Sequence, residues 1–193
     1  MANKAVLSKQ QILDAAYELA GSEGLGSLSI RGLAAFCGIS VGSVYNYYPT
    51  KADLVSDVIG RFWKNALPHD IFDAHGGETF LSFSKRLFES LSVSFSVFRR
   101  TWLSQMAVLD AKSHAAARER EESCFSHICR GLQTVLENDA TIDPSRLSGP
   151  LDPERLSRFV WDAMISSLRK GSPSCDTLFE LLSAALYGEN AAS

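Results

Sequence analysis

Residues 28–51 read Leu28-Ser29-Ile30-Arg31-Gly32-Leu33-Ala34-Ala35-Phe36-Cys37-Gly38-Ile39-Ser40-Val41-Gly42-Ser43-Val44-Tyr45-Asn46-Tyr47-Tyr48-Pro49-Thr50-Lys51. The stretch parses as two short helices meeting at a tight turn. Ala34 is small enough to let the second helix approach closely. Gly38, four residues on, suits the positive-φ conformation that turns a chain sharply. Val44 and Tyr47 then return to a shared core at helical spacing. A unit of this kind presents the N-terminal part of its second helix to the major groove of DNA.

Working outward, nearly every segment has a helical period and β-branched alternation is missing. Ser8-Lys9-Gln10-Gln11 is a capping box that opens helix 1, with Ile12, Ala15, Ala16, Leu19 and Ala20 as its apolar stripe and Gly24 and Gly26 as its end. Ser29 caps helix 2, whose inner face is Ile30, Leu33, Ala34 and Cys37. Ser40 caps helix 3, and Pro49 stops it. Thr50-Lys51-Ala52-Asp53 opens helix 4, which runs to about Leu67 with Leu54, Val58, Phe62 and Ala66 along one side. Residues 68–77 read as a loop. Helices are expected over about 78–95 (Phe80, Phe83, Leu87, Leu91), about 97–112, and about 114–137. After a turn-rich stretch over 138–149, Asp152-Pro153 and Ser172-Pro173 each place a capping side chain before a proline at the first helical position. The two final helices carry Leu156, Phe159, Val160, Ala163, Met164 and Leu168, then Leu178, Leu181, Leu182, Ala185 and Leu186, with Gly171 as the stop between them.

The 193 residues, 46% of them hydrophobic, suffice for a core. No apolar run approaches the roughly 18 residues that span a bilayer, and the N-terminus lacks a secretion signal's apolar core, so a cytoplasmic location is expected. Cys37, Cys124, Cys129 and Cys175 show no metal or disulfide spacing and read as buried small hydrophobes. The net charge of −3 does not itself point to DNA. Up to Leu67 six basic residues face five acidic ones, so phosphates would have to be held by hydroxyls, backbone amides and a few well-placed cations.

From about Ser8 to Leu67 the chain resembles the TetR (tetracycline-repressor) family of bacterial regulators. The resemblance rests on a capped first helix, on Ser29-Ile30-Arg31-x-Leu33-Ala34-x-x-x-Gly38-Ile39-Ser40-x-Gly42-Ser43-Val44-Tyr45-x-Tyr47-Tyr48-x-x-Lys51, and on a helix starting at that lysine. It implies an all-α fold of about nine helices. Residues 1–50 would form the helix-turn-helix domain, and 51–193 a helical ligand-binding and dimerisation domain with 51–67 as connecting helix. It also implies roles. Arg31 would reach a base edge, with guanine N7 and O6 as the matching acceptors. Ser29, Gly42, Ser43, Tyr45, Asn46 and Tyr47 would contact phosphates or bases, and Lys51 would clamp a phosphate at the start of helix 4. Tyr48 belongs mainly to the core. Gly32 stands where a larger residue is usual and would permit a close approach to the duplex.

One such unit reads too few base pairs for specificity, so a homodimer on a palindromic operator is expected. The resemblance places pairing on the last two helices, with Phe159, Trp161, Met164, Leu178, Leu182, Ala185 and Leu186 as candidates. Trp102, Gln105, Met106 and Phe125 are candidates to line a chamber for an unidentified small-molecule effector. His69, Asp70, Asp73 and His75 read as a solvated loop, so no metal is expected, and no cofactor is implied. The leading reading is a sequence-specific, ligand-responsive repressor. The alternative is a DNA-binding adaptor controlled by a protein partner. An enzyme is disfavoured: there is no nucleophile elbow, phosphate loop or dinucleotide fingerprint.

Overall fold

The computed structural model describes residues 7–67, 71–72, 77–98, 109–172 and 174–188. Among these the chain is all helical: α1 (Lys9–Glu23), α2 (Ile30–Phe36), α3 (Val41–Tyr45), α4 (Lys51–Ala66), α5 (Phe80–Phe98), α6 (Ala111–Glu137), α7 (Pro153–Lys170) and α8 (Asp176–Tyr187). Short 3-10 turns lie at Leu25–Ser27, Pro144–Arg146 and Gly149–Leu151. The helix expected over about 97–112 falls mostly outside the described residues. Its first two residues continue α5, and its last two belong to α6. None of the described helices is long and apolar enough to cross a membrane.

The chain divides into two compact units. One comprises Met1–Asn65 with Val97–Cys124, the other Ala66–Ser96 with Phe125–Ser193. The helix-turn-helix therefore shares its unit with most of α4 and the first half of α6.

In the first unit, local chemistry sets each helix start. Gln11 N–H donates to Ser8 Oγ at 3.2 Å while Ser8 N–H donates to Gln11 Oε1 at 2.9 Å, a reciprocal cap. Thr50 and Asp53 repeat the device at α4: Asp53 N–H donates to Thr50 Oγ1 (3.2 Å), and Thr50 N–H donates to Asp53 Oδ2 (2.9 Å). Each such cap contributes ~1 kcal/mol. Gly24 (φ 92°) closes α1, and Gly38 (φ 64°) turns α2 into α3. Ile12, Ala16, Leu33, Ala34, Val44 and Leu54 are buried, so the stripes read from the sequence meet in one core.

The second unit is built on the aromatic and aliphatic faces of α5, α7 and α8. Phe80, Phe83, Leu87 and Leu91 are all buried, as their spacing predicts. The Phe88 and Phe179 rings meet edge to face at 6.0 Å. Asp139 ties the unit together. Its Oδ2 accepts from Phe80 N–H (2.7 Å) and from Tyr187 Oη–H (2.7 Å), and its Oδ1 from Thr141 N–H (3.0 Å) and Oγ1–H (2.6 Å). Burial pushes this carboxyl up, but the bonds from Thr141, Tyr187 and Phe80 outweigh it and hold it below the ordinary aspartate value.

Three local expectations need correction. The last helix does not start at Ser172-Pro173. Gly171 takes a left-handed conformation (φ 77°), and Ser172 N–H donates to Ser167 O at 3.0 Å, so Ser172 closes α7 instead of capping α8. Pro173 lies outside the described residues. The cysteines are half-buried, not fully buried, and burial pushes the Cys37, Cys124 and Cys175 thiols up, away from the reactive thiolate. Finally, α3 is shorter than Pro49 alone requires. Tyr47 and Tyr48 N–H both bond Val44 O, at 3.0 and 2.9 Å, so its end tightens into a 3-10-like turn.

Candidate nucleic-acid interface

The reading unit is α2, the turn at Gly38, α3 and the first turn of α4. Ser29 and Ser40 fix the two short helices. Gly32 N–H donates to Ser29 Oγ at 3.0 Å, and Ser43 N–H to Ser40 Oγ at 3.1 Å. Gly32 has a structural reason: a Cβ there would lie 2.9 Å from Ser29 Oγ and crowd the cap. Gly42 has no such constraint, since a Cβ there would meet only Ser40 Oγ at 3.9 Å. Its bare Cα leaves open surface at the start of α3.

Around these anchors the outward residues are mostly exposed. Arg31, in the first turn of α2, is exposed and makes no ion pair among the described residues. Tyr45 is 50% exposed, and Asn46 and Gly42 are also exposed. Val44, between them, is fully buried, so the period of α3 separates an inner from an outer face. Tyr47 is half-buried and Tyr48 buried. Ser43 is half-buried, with its hydroxyl 2.7 Å from that of Ser40, leaving capacity for further bonds. Val41 is 36% exposed at the first position of α3, and an apolar side chain there carries no polar signal in the sequence.

Lys51 opens α4. Its Nζ donates to Gly26 O at 3.2 Å, which holds the ammonium beside the Leu25–Ser27 turn and leaves two of its protons uncommitted in that bond. The Asp110 carboxyl is held low chiefly by the Ser113 N–H and hydroxyl, with a smaller pull from Lys51. An anion approaching Lys51 therefore works against one nearby carboxylate.

Comparison with known proteins bears on this arrangement. Residues 12–58 match the model of bacterial regulatory proteins of the tetR family. That span begins in the first turn of α1 and ends in α4, covering both capped helices and Lys51. The N-terminal segment is thus similar to the DNA-binding part of tetR-family regulators. It is also similar to the HTH-type transcriptional regulator LuxR of Vibrio harveyi, with 32% identity over 88 residues, or 44% of this chain. The matched stretch spans 43% of that relative's length, under half of it. Among solved structures, the fold resembles NalD, the secondary repressor of the MexAB-OprM multidrug efflux pump in Pseudomonas aeruginosa. The TM-score is 0.61 at 16% identity, over 92% of this chain and 95% of NalD. It also resembles the multidrug binding protein EbrR complexed with imidazole (TM-score 0.56, 16% identity, 92% and 94% covered). These two likenesses extend the shared fold beyond the matched N-terminal segment to nearly the whole chain.

The remaining residues expected from the sequence fall in different places. Trp102, Gln105 and Met106 lie outside the described residues, as do His69, Asp70, Asp73 and His75. Phe125 is half-buried, its ring edge-on to Trp161 at 5.1 Å. A cavity of about 260 Å3 in the second unit is lined instead by Phe72, Phe83, Thr134, Val135 and Asp139, among others. Of the expected pairing residues, Trp161, Met164, Leu178, Leu182 and Leu186 are buried within the single chain, and Ala185 is half-buried. Phe159 (57% exposed) and Leu181 (61% exposed) are the large apolar side chains on α7 and α8 that face outward.

Proposed function

We propose that the chain is a DNA-binding transcriptional regulator that acts as a ligand-responsive repressor, pairing as a homodimer on a palindromic operator. The observation that carries this reading is the pair of serine-capped short helices whose outer faces present Arg31, Val41, Tyr45 and Asn46 while Val44 and Tyr48 anchor the inside. Arg31 reads a guanine, Ser29, Ser43, Tyr45 and Tyr47 hold phosphates, Gly42 and Asn46 meet base edges, and Lys51 clamps the backbone. Phe159 and Leu181 are the centre of the pairing face. A small effector enters the second unit and shifts α4, which is tied to α3 through Pro49 and Thr50. The two reading heads then lose register with grooves one turn apart, ~34 Å. A 100-fold loss of DNA affinity needs only ~2.7 kcal/mol of coupling. The multidrug-binding and efflux-repressing relatives support the ligand-responsive part of this reading.

Selection of bound sequences from a random duplex pool tests it directly, and failure to enrich any inverted repeat at low salt would reject it. On the selected operator, Lys51→Ala should weaken all sites about equally and lower the salt-dependence slope by ~1. Arg31→Ala should instead relax one position of each half-site, at a cost of ~1–3 kcal/mol. Equal losses at every site for both variants would remove the base-reading role of Arg31.

Val41 makes a separate prediction. An exposed aliphatic group at the head of α3 suits the C5-methyl of thymine. Exchanging that thymine for uracil should cost ~0.8 kcal/mol in the wild type, the value of one buried methyl-sized group. Val41→Ala should erase the difference. A wild type indifferent to uracil at every position of the operator would show that Val41 touches no methyl group.

A further inference from the structure

A cleft of about 430 Å3 opens within the first unit, away from the reading helices. Its walls include Lys9 and Gln10 from α1, Asp57, Arg61 and Lys64 from α4, and Arg120 from α6. On α4 these positions fall three and four residues apart, so they share one helical face. Four cations face one carboxylate.

The internal pairings do not use up that positive charge. Asp57 is engaged by Lys9 at 2.7 Å, and Arg61 Nη2 reaches Asp14 at 2.8 Å. Lys64 and Arg120 make no ion pair among the described residues. The Nε of Arg61 is sealed from solvent, with no hydrogen-bond partner there. With Nη2 on Asp14 and Nε sealed, Arg61 offers the cleft its positive charge and its remaining terminal nitrogen.

Gly60 shows how Arg120 reaches the cleft. A Cβ at that position would stand 2.7 Å from Arg120 Nη2 and closer still to Nε, so the guanidinium lies directly on the bare backbone of α4. Bringing a cation from α6 against a helix that already presents Arg61 and Lys64 costs repulsion unless an anion joins them.

We propose that this cleft binds a small phosphate-bearing anion, with the Arg120 guanidinium supplying paired N–H donors and Arg61 and Lys64 adding positive charge. The volume lies within the range of small-molecule pockets. Because the three walls are α1, α4 and α6, the anion bridges the two helices that flank α2 and α3 in the chain to the helix that continues into the rest of the chain.

Pyrophosphate is the probe, and the full chain is the sample. At constant ionic strength it should give a saturable calorimetric binding isotherm and raise Tm by roughly 5 °C at about 100 times its Kd, while matched chloride should give no saturable isotherm. Lys64→Gln and Arg120→Gln remove exposed, unpaired charges, and each should raise the half-saturating concentration about tenfold. Gly60→Ala is the control for folding. Alanine favours a helix, so this variant should be no less stable than wild type. With Arg120 displaced, it should nevertheless lose pyrophosphate binding as Arg120→Gln does. No saturable response in the wild type, or equal responses in wild type and Arg120→Gln, overturns the site. An Arg120→Gln variant that keeps its pyrophosphate response but shows a shallower salt dependence of duplex binding would assign the cations to the DNA backbone, and this also overturns it. A chain that binds pyrophosphate but no duplex would support the anion site while rejecting the DNA reading.

Discussion

Replacing Phe159 and Leu181 together by glutamate is expected to leave a folded monomer that binds operator DNA roughly 10²–10⁴-fold more weakly than the wild type. Both side chains project outward from α7 and α8, at 57% and 61% exposure, so their removal opens no cavity in the core. In a homodimer, the second half-site is bound at the high effective concentration set by the first contact, and a monomer forfeits that gain. Sedimentation or light scattering reports the oligomer, and titration of labelled duplex reports the affinity. A double variant that still sediments as a dimer would place the pairing face elsewhere. Trp161→Glu is the contrasting substitution, because that ring is fully buried against its own chain and its loss should unfold the second unit.

The second large effect concerns stability. Asp139→Ala is expected to cost ~3 kcal/mol, because it strands the Tyr187 hydroxyl, the Phe80 N–H and both Thr141 donors at once. For a chain of this size, that lowers Tm by roughly 6–12 °C. Asp139→Asn keeps an acceptor and should lose less. The pH dependence has a definite sign. Bonds from Thr141, Tyr187 and Phe80 outweigh the upward push of burial and depress the folded-state carboxyl. Its charge-dependent contribution is therefore complete above the ordinary aspartate range and disappears as pH falls through the lowered folded value. The gap between wild type and Asp139→Ala in denaturant unfolding should narrow below pH ~4. A gap that stays constant from neutral pH down to pH ~2 would mean that the ionised form is not what matters.

The N-terminal architecture was legible because its signals are local. A serine three residues before the N–H it accepts, a glycine that must turn, and an apolar period of three to four residues all act within one or two turns. The caps at Ser8, Ser29, Ser40 and Asp152 follow from this. What could not be read were choices made by distant neighbours. Phe159 and Trp161 both looked like apolar pairing residues, yet one is exposed and the other sealed, and two positions of α7 do not disclose which side the rest of the unit occupies. Asp139 sits in a turn-rich stretch and gave no sign that residues 59 positions before and 48 positions after would converge on it. Likewise, Gly32 read as an opening toward DNA, whereas its first duty is to make room for the Ser29 hydroxyl.

The reciprocal Thr50–Asp53 bonds have a mechanical corollary. They fix the first turn of α4 to Thr50, so the residue that follows Pro49 turns with the long helix. Sixteen residues make a rod of ~24 Å. At that length, a five-degree swing carries one end by ~2 Å.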